Sequence, residues 1–315
     1  LLLIASNALA VTYTFRNSST APSPATPPIC SGSWSKSGST FTCNGDLSLA
    51  SGDVLEVRTA GNEPLDDITV VATGTISLTN NTIGTTSKNI SLRTGSNALT
   101  ATGTNNIRGS VTSASGAINL AGATITGSVT GSGTATLSNS SVAGNVDVDG
   151  NSTLSNTAIT GALIGNAGWL SLSGGSIGGN VSSGGAITTN GTTVGGSMTS
   201  TSGSISLTGG SITGLVRSNC CSVTTNGTDL AGGARSDSDR LDITGGTIAG
   251  AFYAGNNPAT FTGVTMTSGT VSGASTVTVT DSFLGSAESK GTVTSVSGEV
   301  TLNSTTAFGD VSAPN

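Results

Sequence analysis

The chain has 315 residues and a formal net charge of −6; only 8% of it is charged, 47 residues are glycine, and none is histidine. The usual general base and the commonest metal ligand are therefore missing. The acidic balance also opposes a nucleic-acid partner, which needs clustered Lys and Arg. Disordered chains are usually charge-rich and poor in Val, Ile and Leu. Here those residues are regularly spaced, so a folded repeat is expected.

In chain order, residues 1–10 (LLLIASNALA) form an apolar run ending in small residues, as in the last part of a secretory signal. Cleavage is expected after Ala10. Residues 11–29 include SSTAPSPATPPI, which holds four of the seven prolines and reads as an extended linker. Residues 30–60 follow as an N-terminal capping segment. In an oxidising compartment Cys30 and Cys43, with Gly and Ser between them, would close a hairpin loop by a disulfide. Trp34 and Phe41 would help that segment cover an open end. Cys220 and Cys221 are sequence neighbours and leave three states open: a vicinal disulfide, pairing between chains, or buried thiols.

Residues 61–106 alternate with uneven spacing and read as irregular turns. From 107 to 315 the chain divides into units of 17–18 residues, beginning at Ile107, Ile125, Val142, Ile159, Ile177, Val194, Ile212, Leu230, Ile248 and Met266. Apolar residues favour positions 1, 5, 12 and 14, glycine favours position 3, and Ser or Thr the last position. This is strand alternation. One unit is too short to bury a core, but stacked units are not. The expected fold is all-β: a single-stranded parallel β-helix, or solenoid, right-handed by the general preference of parallel crossovers. Glycine at position 3 is expected where the opposite wall comes close. The Asn190-Gly191 and Asn226-Gly227 pairs suit tight corners.

Carboxylate pairs for glycoside cleavage must lie roughly 5–9.5 Å apart. No repeat column carries carboxylates on successive turns: Asp147 and Asp149 stand alone between Gly109 and Cys221, and Asp229, Asp237, Asp239, Asp242 and Asp281 occupy different positions. No catalytic, metal or cofactor-binding residue is assigned, and the chain is read as a non-enzyme. The Arg235–Asp242 cluster could hold Ca²⁺. The simpler reading is a solvated turn whose charges pair locally or with Arg217. Asp147-Val148-Asp149-Gly150-Asn151 resembles a calcium loop only in part. Trp169 and Tyr253 point outward but stand turns apart. Thr columns around position 1, such as Thr124/Thr126 and Thr265/Thr267, raise an ice-binding alternative, although the intervening units are not consistently Thr.

The stretch from Cys30 to Val57 (CSGSWSKSGSTFTCNGDLSLASGDVLEV) resembles the N-terminal part of secreted proteobacterial proteins of the MSHA-biogenesis MshQ type, through its C…W…SGST-aromatic-TC core and SLASGD run. The resemblance implies a cell-surface or pilus-linked structural or adhesive role and no catalytic motif. The repeat is also similar to bactofilins, β-helices that polymerise end to end, although those are cytoplasmic and shorter. The expectation is a secreted surface protein, an adhesin stalk or pilus-associated component. The alternative is an extracellular filament former associating through its helix ends, and an ice binder or polysaccharide-degrading enzyme comes after both. Expected partners are surface or pilus components or further copies of the chain. No transmembrane segment is expected in the mature chain.

Overall fold

A computed structural model describes residues 9–62 and 65–314, and among them every regular element is a β-strand. The expected signal remnant lies outside the described residues except for Leu9 and Ala10. Two compact units divide the chain, Leu1–Val148 and Asp149–Asn315. This boundary differs from the expected change at residue 107. Each unit is a parallel β-solenoid whose coils contribute strands to three ladders.

The strands form because β-branched and aliphatic residues alternate with Ser, Thr and Gly over runs too short for a helix. In the first unit the first ladder stacks Leu55, Ile83, Ile107, Ile125 and Val142. A second ladder stacks Val70, Leu92, Val111, Val129 and Val146. The third stacks Leu47, Ile76, Leu99, Ile118 and Ala135. All of these side chains are buried. In the second unit the ladders run through Ile159, Ile177, Val194 and Ile212; through Leu163, Val181, Met198 and Val216; and through Leu170, Ile187, Ile205 and Val223. Apolar positions 1, 5, 12 and 14 of the repeat thus become the inward columns. Residues 65–106 belong to longer coils of the same three ladders. A further lengthening comes at residues 285–290, between the strands Phe283–Leu284 and Gly291–Ser295.

One corner recurs with a fixed conformation. After each third-ladder strand from Ile76 onward the chain turns through a left-handed residue with φ between 47° and 73°, followed by a second one at Gly175, Gly210 and Gly246. The first is Gly or Asn in most coils, with Asp281 and Ser304 in the last two. Gly191 and Gly227, the second members of the Asn-Gly pairs, are two of these residues. Glycine at position 3 has a different cause from the expected one. A Cβ on Gly232 would lie 2.4 Å from the carbonyl carbon of Gly214. The close neighbour is the backbone of the adjacent coil, not an opposite wall.

The expected linker over residues 11–29 is overturned at its start. Thr12–Phe15 is a strand in register with Val54–Val57, and Tyr13 and Phe15 are buried. The β-branched and aromatic alternation of Thr12–Phe15 outweighs the proline-rich composition that follows it. Cys30 and Cys43 are disulfide-bonded, with Cα atoms 5.7 Å apart. Trp34–Ser37 and Thr40–Cys43 form an antiparallel hairpin, and the second strand joins Thr69–Ala72 in parallel. Antiparallel segments cover the starting edge of all three ladders. Ser23 bridges Thr14, Cys30 bridges Leu47, and Trp34–Ser37 lies outside Thr40–Cys43. Phe15 packs edge-on against Trp34 and Phe41, with centroids 5.9 and 4.7 Å apart. The tip of the cap is thereby filled with aromatic surface.

Candidate functional site

Strands fix the inward side chains, so chemistry is confined to the outward columns and the corners. Among the described residues no group of three His, Cys, Asp or Glu side chains could hold a metal ion. Asp147 sits beside Thr130 on the second ladder of the first unit. In the second unit Asp149 accepts a hydrogen bond from Asn166 Nδ2 at 2.8 Å, and Asp229 accepts one from the Thr247 amide at 2.8 Å. Asp281 occupies a left-handed corner. Asp149 and Asp229 thus bind the next coil.

The densest charge cluster is an ion-pair ladder. Arg217 and Arg235 stand in register on adjacent second-ladder strands. Asp237 bridges them: Arg217 donates from Nε at 2.9 Å and from Nη2 at 2.6 Å to one oxygen, and Arg235 Nε donates to the other. Partial burial pushes the Asp237 pKa up, but the hydrogen bonds from Arg217 and Arg235 outweigh it and hold the carboxyl below the ordinary value of 3.8. Arg235 also lies over the Tyr253 ring, 4.9 Å from the centroid. Arg240 pairs with Asp242 at 3.0 Å. The vicinal pair Cys220–Cys221 is bonded. It sits at a corner where Ser218 Oγ accepts from the Cys221 amide and the Cys221 carbonyl accepts from Ser236.

Trp169 is 44% exposed. The Thr columns flanking the first ladder line grooves. Thr124 and Thr126 border a cavity of about 290 Å³ with Arg108 and Asn106. Thr267 borders one of about 360 Å³ with Asp229 and Thr247. The more regular hydroxyl ranks lie on the third ladder of the second unit. Thr153, Ser171, Thr188, Ser206 and Thr224 form one outward rank, beside the rank of Ser155, Ser173, Asn190, Thr208 and Asn226. Positions 13 and 15 of the 18-residue units carry this signal, not the last position and position 2 that first suggest it.

A third cavity on the first-ladder corner, of about 430 Å³, concentrates charge in the first unit. Arg16, Glu56 and Arg58 line it together with Thr14, Thr85 and Ser87. Arg16 follows Phe15 and Arg58 follows Val57, which are register partners; the Arg58 amide continues the ladder by donating to the Phe15 carbonyl at 3.0 Å. The two arginines thus occupy neighbouring rungs, about 4.8 Å apart along the stack. Glu56 accepts from the Thr14 hydroxyl at 2.7 Å, and Arg58 Nε donates to the Ala60 carbonyl at 2.9 Å. Arg16 Nε is buried with no hydrogen-bond partner among the described residues. The sequence offers no local sign of this pocket, because its parts lie 42 residues apart in a coil that precedes the regular period.

Among the described residues no helix is long and apolar enough to cross a membrane. No protein-family model, no curated protein and no solved structure matches the chain.

Proposed function

We propose that the chain is a non-catalytic, secreted bacterial surface protein, serving as an adhesin stalk or a pilus-associated structural component. The observation that carries the reading is the unbroken register of the third ladder in the second unit. Each unit converts short Ser/Thr/Gly-rich coils into stacked columns that present long, repetitive polar faces. Such an architecture favours display and spacing. Asp149, Asp229 and Asp237 support this reading by serving as internal hydrogen-bond acceptors. The oxidised state of all four cysteines fits an oxidising compartment.

Antibody labelling of intact and permeabilised cells of the source organism tests the placement. Labelling of intact cells is the expected result. Labelling only after permeabilisation overturns it, and release of reducing sugar from a polysaccharide panel overturns the non-catalytic role.

A further inference from the structure

The molecule holds two pairs of arginines on neighbouring rungs, and among the described residues only one pair is bridged by a carboxylate. Like charges directly opposite each other in a sheet repel. Arg217 and Arg235 resolve this through Asp237, whose two oxygens are divided between them. Arg16 and Arg58 have no such bridge: neither makes an ion pair among the described residues. Glu56 lines the same cavity and accepts from Thr14, but it makes no ion pair with either arginine, and its single charge leaves the described lining net positive. Only ten cations exist in the chain, and two that make no ion pair among the described residues converge on a single cavity, where one guanidinium nitrogen is buried with no hydrogen-bond partner among those residues.

We infer that this cavity is a binding site for a carboxylated sugar, a uronic acid residue of a glycan, whose carboxylate bridges Arg16 and Arg58 as Asp237 bridges Arg217 and Arg235. Planar guanidinium forks suit a carboxylate and gain most where water is partly excluded. The rest of the lining suits the sugar ring. Thr85 and Ser87 offer hydroxyls that donate or accept, and Glu56 is an acceptor for a sugar hydroxyl. The cavity of about 430 Å³ has room for a sugar unit and opens on the surface of the coil. Arg108 follows Ile107, the partner of Ile83, which in turn pairs with Leu55, so Arg108 continues the column of Glu56. A further cation therefore stands two rungs along the same corner, about 10 Å away, where a glycan chain leaving the cavity would meet it. The inference gives the adhesive reading a ligand but does not rest on it, because binding is measured on purified protein wherever the chain resides.

Calorimetric titration of the full chain with oligogalacturonate and oligoglucuronate tests the site, with neutral gluco-oligosaccharide and inorganic phosphate as comparisons. Saturable binding of at least one uronate oligomer is expected, weakened tenfold or more by R58Q and by R16Q and unchanged by R93Q, which removes an exposed arginine on another ladder. A matching circular dichroism spectrum qualifies each variant. Should R16Q not fold, R58Q alone carries the comparison. No uronate binding at millimolar concentration, equal binding of the neutral oligomer, full competition by phosphate at the same concentration, or indifference to R58Q overturns the assignment.

Discussion

At the scale of single residues, the coil distinguishes two uses of glycine. Gly227 has φ +65° and open space where a Cβ would stand. G227A therefore meets only backbone strain, about 1 kcal/mol. G227N should cost less, since Asn80, Asn139 and Asn156 hold the same corner in other coils. Gly232 is limited by contact, so G232A should cost about 2 kcal/mol or more. Urea denaturation of the three variants checks this order. Thr225 reverses the usual sign of a core substitution. It sits in an inward column between Leu207 and Ile243, and its hydroxyl is buried without a partner. T225V should stabilise the protein by about 1 kcal/mol, read as a raised urea midpoint.

Asp237 adds a dependence on pH. Its folded pKa lies below the ordinary value of 3.8. The stability it contributes is complete above the unfolded carboxylate range and drains away as pH falls through the folded value. D237N should lower stability at pH 7 by on the order of 1 kcal/mol, a modest figure because both arginines are nearly half exposed. It should also flatten the acid limb of the stability curve below pH ~4.

At the scale of elements, the repeat was readable from residue 107 onward because a strict 17–18-residue period forces like side chains into columns. Ile125 over Val142 needs no more than that arithmetic. Earlier coils were obscured by their length: Leu47, Ile76 and Leu99 are stacked neighbours at unequal separations. Thr12–Phe15 was hidden by the proline-rich tract behind it. The arginine pocket had no period to reveal it, and only pairing of the strand at residue 12 with that at residue 54 brings its parts together. The Cys30–Cys43 bond, by contrast, followed from spacing and composition. Its 13-residue loop predicts a loss of about 3 kcal/mol on removal. The chain has two tryptophans, one in each unit, which lets fluorescence read this locally. C30S/C43S should move the denaturation transition reported by Trp34, buttressed by Phe15, further than that reported by exposed Trp169.

At the scale of the whole molecule, the two units share one construction and differ in electrostatics. Six of the ten cations lie in the first unit, whereas nine of the sixteen acids lie in the second. The bridging of strand edges at residues 23, 30 and 34–37 also sets a direction. A head-to-tail polymer held by strand pairing needs a donor rim and an acceptor rim on every subunit. Here the amino-terminal rim is already occupied by the chain's own reversed segments. A molecule so built can close a growing stack but cannot hand the pattern on from that side. Assembly by strand pairing should therefore stop at that rim.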